Sequence, residues 1–367
     1  MGLRRYAEIS LSRRALEMTL SHVKIVGSGL IGTSIGLALA LKNIGVTMQD
    51  VDSRAEGLAQ DLIKSPATTP IDLVVFATPI GALNSVLNKE FEANPKAGFI
   101  DISSVKSKVK VEVSTSHIPS SRFLPTHPMA GREVGGAESA RADLFVGRPW
   151  ITDSAGVDSD VIHMGVELIE LLGGHRIELD SLEHDRAVAL VSHLPQLVSS
   201  LLAKQLSGGE EGWLELAGAG LRDTTRIAAS DSKLWREIIT ANSRALTPLL
   251  KGLQVDLAHL IENLEDEETV AELISSGHEG RARIPGKHGG KAREYTYLPI
   301  VIEDKPGQLA ALFEECAIAS VNVEDLAIEH SPGQFTGLIT LALSEIDAVK
   351  LADHLKNNGW SVHSPKK

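Results

Sequence analysis

Three short apolar runs each end in side chains that could do chemistry. Thr78 follows Leu73–Ala77, Ser104 and Lys106 follow Gly98–Ile102, and His127 follows Phe123–Pro125. In an open α/β sheet, ligands sit beyond the carboxyl ends of the strands, so a hydroxyl, a hydroxyl with an amine, and an imidazole are expected to converge there. A histidine in that position can act as base or hydrogen-bond acceptor at a carbinol oxygen near neutral pH, which suits the oxidation of an alcohol. A second polar set lies further along: His193 in an apolar run beside Pro195, and Arg222 with Arg226, four apart and so expected on one helix face. Paired guanidinium forks suit carboxylates, although spacing alone gives equal weight to internal ion pairs with Asp223 or Asp231. If the arginines bind a ligand, it is a small carboxylate-bearing anion.

A glycine loop supplies the oxidant's site. Val23–Val26 runs into Gly27-Ser-Gly29-Leu-Ile-Gly32 and then into a helical stretch. Gly27 permits the tight turn, Gly29 lets backbone approach a pyrophosphate, and Gly32 lets helix pack on strand, with the helix N-terminus offering unpaired N–H groups. The expected cofactor contacts are Gly27, Gly29, Leu30, Ile31, Gly32, Thr78 and Ser104. Asp50 ends the second strand 23 residues after Gly27, where a ribose-binding carboxylate belongs. A carboxylate there repels a 2′-phosphate, so NAD is expected over NADP. Asp52 adds to the repulsion and Arg54 opposes it.

The elements that must position these groups follow from hydrophobic patterning. Up to about residue 180, apolar runs alternate with helical stretches: strands at Val23–Gly27, Val46–Gln49, Leu73–Ala77, Gly98–Ile102, Phe123–Pro125, Trp150–Thr152 and His175–Leu179, with a helix over Val161–Leu172. From Ser181 the period changes to about 3.6, with apolar residues at Val188, Val191, Leu194, Val198, Leu201 and Leu202. Asp180 with Glu183 forms a capping box at its start, and Pro195 is expected to kink this helix. Further helices are expected from about Trp213 to Ala229 and from Asp231 to about Ile274. Gly277–Ala292 reads as linker or loop. The remainder reads βαββαβ: Tyr295–Ile302, a helix to Ile318, Val323–Glu329, Thr336–Leu343, a helix over Ile346–Asn357, and Trp360–His363. The expected organisation is an extension (1–20), a Rossmann-like α/β domain (21–180), an all-helical domain (181–280), a linker (281–294) and a small ferredoxin-like domain (295–367).

Composition removes competing classes. Net charge is −12, from 36 Lys and Arg against 48 Asp and Glu, which speaks against nucleic acid or an anionic membrane as partner. Aromatics are 4%, too few for stacking platforms. A single cysteine, Cys316, rules out a disulfide framework or a cysteine-based zinc site, and no metal is expected. Ile25–Leu41 is uncharged but broken by four glycines and shorter than the roughly 20 residues a membrane helix needs. The first 17 residues hold four arginines without an apolar core, so they read as an extension rather than a secretory signal. A cytoplasmic protein is expected.

Together the motifs resemble the prephenate dehydrogenase family of tyrosine biosynthesis, from about Val23 onward. They are Gly27-Ser-Gly-Leu-Ile-Gly-Thr-Ser34, Asp101-Ile-Ser-Ser-Val-Lys106, His127-Pro-Met-Ala-Gly131 with Glu133, Ser192-His-Leu-Pro195, and Arg222-Asp-Thr-Thr-Arg-Ile-Ala228 followed by Trp235. The resemblance implies that His127 takes the ring-hydroxyl proton of the substrate and that Ser104 shares that hydroxyl and orients the histidine. It further implies that Arg226 holds a carboxylate, that His193, Arg222 and Trp235 line the pocket, and that Glu133 controls access. The implied reaction is NAD-dependent oxidative decarboxylation of prephenate, or of its amino analogue arogenate, by a homodimer joined through the helical domain. Ser103 departs from the glycine often found at that position in the family. Residues 296–365 resemble an ACT domain, with Asp304, Gly307 and Asn322 at the places where an effector binds, and tyrosine or another aromatic amino acid is the expected effector. A rival reading makes the chain a non-catalytic amino-acid sensor on a decayed nucleotide fold.

Overall fold

In the computed structural model the described residues are 20–132, 134–284, 295–303, 305–329 and 336–366. They fall into two compact units that divide between Asp256 and Leu257. Residues 1–19, Glu133, Asp304 and most of the expected linker (285–294) lie outside the described set.

The first unit is built on five parallel strands: β1 (His22–Val26), β2 (Gly45–Gln49), β3 (Leu73–Phe76), β4 (Gly98–Asp101) and β5 (Phe123–Leu124), in the order β2-β1-β3-β4-β5. Strands β3 and β4 are buried residue by residue, as expected for a parallel sheet covered on both faces. Val23 pairs with both Val46 and Leu73, so β1 lies between β2 and β3, with β3 at the centre of the sheet. Phe76 stacks on Phe99 and Phe123 across three adjacent strands, with ring centroids 6.2 and 6.1 Å apart. Helices α1 (Leu30–Ala40), α2 (Ser53–Ile63), α3 (Leu83–Ala93), α4 (Lys106–Ser114) and α5 (Ser159–Leu171) belong to the same unit.

Pro125 interrupts the sheet. Beyond it the chain starts β6 (Thr126–Pro128), antiparallel to β7 (Pro149–Thr152), which in turn runs parallel to β8 (His175–Glu178). His127, expected just past the end of the Phe123–Pro125 strand, therefore sits on a strand of a second, three-stranded sheet. A strand of three residues with a proline at its end gives no alternation to read.

Asp180 caps α6 (Ser181–Val188), its carboxylate accepting from the N–H groups of Leu182 and Glu183. The expected kink at Pro195 takes the form of a single π-helical turn over Ala189–His193, after which α7 (Leu194–Gln205) continues with the proline in its first turn. By length and composition alone, Ser181–Gly208 is long and apolar enough to cross a membrane. Its inward stripe argues otherwise, because it is polar: Ser181, His184, Asp185, His193, Gln196 and Ser199 are buried. Leu190, Val191, Leu201 and Leu202 face outward. Of the six apolar positions in the sequence pattern, Val188 alone is fully buried. The expected helix from Asp231 to Ile274 is three helices: α10 (Ser232–Ala241), α11 (Ser243–Glu262) and α12 (Glu267–Ala282), preceded by short α8 (Glu211–Leu214) and α9 (Ala219–Thr225).

The second unit contains a four-stranded antiparallel sheet of order β10-β11-β9-β12. Its strands are β9 (Thr296–Glu303), β10 (Asp325–Glu329), β11 (Thr336–Leu343) and β12 (Ser361–Val362), with α13 (Gln308–Ile318) and α14 (Glu345–Asn357) in the βαββαβ order that alternation predicts. Leu298, Ile300, Ile339 and Leu341 from the sheet bury against Leu312, Leu351 and Leu355 from the helices.

Candidate active site

The carboxyl ends of β1, β3 and β4, together with β6, open into a cavity of about 910 Å³. Gly27, Gly29, Leu30, Ile31, Asp50, Thr78, Ser104 and His127 line it, and α10 contributes Trp235 and Glu237. Gly27 has φ of +115°, and a Cβ there would lie 2.4 Å from the carbonyl oxygen of Ala77, so only glycine fits. A Cβ on Gly29 would meet nothing within 4 Å, which leaves open space over the N-terminus of α1. That terminus has no side-chain cap, as an anion-binding helix start requires. Gly32 does not line the cavity. It lets α1 pack on the loop, since its Cβ would collide with the carbonyl of Gly27.

Two further details fit a dinucleotide. The Asp50 carboxylate accepts from the backbone N–H of Ser28 (2.6 Å) and of Asp52 (2.9 Å), which fixes it at the cavity edge with acceptor capacity to spare for ribose hydroxyls. Thr78 Oγ1 is buried on the cavity wall without a hydrogen-bond partner among the described residues. A buried hydroxyl in that state is costly unless a ligand completes it.

Behind Ser104 and His127 lies a buried polar layer. Asp101 accepts from Thr126 N–H (3.1 Å) and Ser103 N–H (2.8 Å) and pairs with Lys106 Nζ, which also donates to the Thr126 carbonyl. Lys106 is fully buried, and burial pulls its ammonium below the usual lysine range against the opposing pull of Asp101. The expectation that this amine faces the ligand is therefore corrected. Lys106 ties β4 to β6 and so sets the distance between the serine loop and the histidine strand.

His127 Nδ1 lies 2.9 Å from His184 Nε2, and His184 Nδ1 lies 2.8 Å from Asp185 Oδ1. Asp185 also accepts from Lys106 N–H (2.8 Å) and from Ser107 N–H (2.9 Å) and Oγ–H at the start of α4. Burial raises the Asp185 carboxyl, but the hydrogen bonds from His184, Ser107 and the backbone outweigh it and hold it below the usual range. His127 is pushed well below the usual imidazole range by burial, then by His184, Lys106 and His193. At neutral pH it is uncharged and can accept a proton.

The comparisons with known proteins bear on this arrangement. Residues 37–178 match the nucleotide-binding domain of prephenate dehydrogenase, and residues 180–275 match its dimerization domain. A cyclohexadienyl dehydrogenase of Zymomonas mobilis is 31% identical over 286 residues, covering 73% of this chain and 97% of that protein. The chain belongs to the prephenate dehydrogenase family. It is accordingly an NAD-dependent oxidoreductase. A probable prephenate dehydrogenase of Streptomyces niveus is 29% identical over 93% of this chain and 99% of its own. Among solved structures, the Aquifex aeolicus prephenate dehydrogenase in complex with hydroxyphenyl propionate and NAD⁺ is 25% identical with a TM-score of 0.63, over 72% of this chain and 99% of that one.

Within this family member the expected residues separate into two groups. The expected cofactor residues other than Gly32 share the cavity with Ser104, His127 and Trp235. His193 is buried behind Trp235, ring edge to face at 6.1 Å, with its Nδ1 accepting from Asn242 Nδ2 (3.0 Å). Burial lowers its imidazole to about 4 despite the opposing charge of Asp185, so it is neutral, with its proton on Nε2. Arg222 and Arg226 are exposed and do not line the cavity. Arg222 lies in α9, and Arg226 follows at its C-cap and opens a 3₁₀ turn over Arg226–Ala229. Glu133 falls outside the described residues. Sequence reasoning missed His184, Asp185 and Asn242. The adjacency of His184 and Asp185 on an otherwise readable helix was the one available signal.

Proposed function

We propose that this enzyme converts prephenate to 4-hydroxyphenylpyruvate with loss of CO₂. The observation that carries the reading is one cavity lined both by a dinucleotide loop and by a neutral, buried His127 beside Ser104. NAD⁺, when bound, supplies the hydride acceptor. His127 holds the ring hydroxyl through Nε2 and takes its proton, and Ser104 orients the same hydroxyl. An uncharged histidine suits this task, because it loses little to prior protonation at pH 7. Trp235, with His193 behind it, walls the ring pocket. Decarboxylation then aromatises the ring and drives the step forward.

Arg226 and Arg222 are assigned to the substrate's carboxylates, supported by the family motif they occupy. The apolar outward face of α6 and α7 supports a homodimer joined there. In the second unit, a cavity of about 480 Å³ at the start of α13 is lined by Gly307 with Lys305, Gln308, Ile328 and Gly337. Its βαββαβ order supports an ACT-type regulatory role with tyrosine as effector, although Asn322 is outside that cavity and bonds Glu324 (3.0 Å). Asp304, the third expected effector residue, lies outside the described residues. Arogenate is the second candidate substrate, because a Synechocystis arogenate dehydrogenase is 26% identical with a TM-score of 0.59.

The test follows reduced-nicotinamide absorbance with prephenate and arogenate crossed against NAD⁺ and NADP⁺, with and without tyrosine. Turnover of prephenate with NAD⁺, slowed by tyrosine, is expected. Turnover of arogenate alone would reassign the substrate and keep the chemistry. His127→Asn is expected to lower kcat by about 10³-fold, within the range of general-base losses, while Kd for NAD⁺ holds. Turnover within threefold of the parent would remove His127 from its role.

A further inference from the structure

Asp185, His184 and His127 form one hydrogen-bonded line, and the ionised end of that line decides where every proton sits. The Asp185 carboxylate has no proton to give, so His184 donates to it from Nδ1. A neutral His184 then presents a bare Nε2, and His127 must donate to it from Nδ1. This places the lone pair of His127 on Nε2, where a substrate hydroxyl can give up its proton. The line is shielded from solvent: His184 is fully buried and Asp185 nearly so. It is also rigidly anchored, since Asp185 is gripped by the first residues of α4.

From this geometry we infer that His184 and Asp185 are a proton relay behind His127. When His127 gains the substrate proton at Nε2, it passes its Nδ1 proton to His184 Nε2. His127 returns to neutrality, and the positive charge rests on His184 beside the Asp185 carboxylate. No other bond changes, and Asp185 stays ionised throughout. On product release the proton retraces the line to His127 Nε2 and leaves through the cavity.

The surroundings favour this resting place. Among the described residues, His127 on β6 and His193 in the π turn act on His184, Lys106 on α4 acts on His127, and Asp101 on β4 and Asp153 after β7 act on Lys106. Lys106 opposes a cation on His127. Asp185 is the anion in direct contact with His184. Both residues act through His127 and are positioning residues rather than catalytic ones.

The inference rests on the reading of His127 as proton acceptor, so the test separates the two. His184→Gln keeps an acceptor for the Nδ1 proton of His127 but cannot take the proton up. His184→Phe removes both functions. With prephenate and NAD⁺, His184→Phe is expected to lower kcat about 100-fold, the low end of general acid–base effects, and His184→Gln about tenfold, a part of that loss, with KM within about twofold. The acidic limb of the kcat profile should also move to lower pH in His184→Gln, because the charge must then stay on His127, where burial and Lys106 oppose it. A packing defect would lower kcat without moving that limb, and an unmoved limb overturns the relay. A second readout needs no turnover. Nitrogen-15 spectra of the free enzyme should show His127 protonated on Nδ1 in the parent and in His184→Gln, and on Nε2 in His184→Phe. Nδ1 protonation in all three would overturn the inference. Correct tautomers in a parent enzyme inactive on both prephenate and arogenate would retire the substrate reading and leave the tautomer-setting line intact.

Discussion

The two units solve burial in opposite ways. The core of the C-terminal unit is apolar: leucines and isoleucines of β9 and β11 close on α13 and α14, and Thr296 is the one fully buried polar residue among those described there. The N-terminal unit buries Asp101, Lys106, His127, Asp153, His184, Asp185 and His193 in the region where β4, β6, α4 and α6 meet. Removing charges from water costs several kcal/mol per ion even after relaxation, and an apolar filling of equal volume is often as stable or more so. The polar layer therefore does not stand there for stability. What it does is tie β4 to β6 through Asp101, Lys106 and Thr126, setting the serine loop against the histidine strand. Among the described residues of the C-terminal unit no such buried charged layer is present, and its cavity lies at Gly307.

Breaking the polar layer should be the costliest change. Lys106→Met leaves Asp101 charged and buried without its ammonium partner, and the loss is expected to be about 3–5 kcal/mol of unfolding free energy. Denaturant titration of the variant measures it. Adding Asp101→Asn should recover part of the loss, and a Lys106→Met chain as stable as the parent would show that the pair is not what holds β4 to β6.

Acid should separate the units by a smaller margin. The His193 imidazole is lowered to about 4, so in the folded state it stays neutral where an unfolded histidine protonates. A depressed histidine contributes stability that is complete above about pH 6.5 and is lost as pH falls towards 4. Between pH 7 and 5 the expected loss is at most about 2 kcal/mol from His193, with His127 adding in the same direction. Hydrogen exchange resolved by region should show this loosening in α6 and α7 and leave β9 and β11 unchanged. Equal acid sensitivity in both units would erase the contrast.

How much could be read beforehand follows the same division. The glycine loop was legible because Gly27 is a steric requirement written as a residue type, and the C-terminal βαββαβ order was legible because apolar alternation maps directly onto an apolar core. The helix from Ser181 to Gln205 misled, because its hydrophobic period marks the outward face. A period reports that a helix has two faces, and the burial direction here is set by His184, Asp185 and His193 meeting Lys106, Ser107 and Asn242 from distant parts of the chain. The motif Asp101-Ile-Ser-Ser-Val-Lys106 was found as a unit, yet its ends are buried scaffold and its middle, Ser104 included, lines the cavity. Only the contact of Lys106 Nζ with Asp101 and Thr126 makes that distinction.

The smallest expected effect lies at the rim of the polar layer, where solvent competes. Asp50 is half-buried, accepts from the Ser28 and Asp52 N–H groups, and lines the cavity proposed to take the cofactor. Asp50→Asn keeps the size and one acceptor oxygen but loses the charge that bonds ribose hydroxyls and repels a 2′-phosphate. A hydrogen bond to a charged group is worth about 1.5–3 kcal/mol when buried, and partial exposure brings the expected loss to about 1.4 kcal/mol, a tenfold rise in Kd for NAD⁺. Calorimetric titration of NAD⁺ and NADP⁺ should show the two affinities drawing together, with unfolding stability unchanged. If NAD⁺ affinity instead falls together with stability, the bond from Ser28 N–H to Asp50 is holding the glycine loop itself, and the rim belongs with the buried layer rather than apart from it.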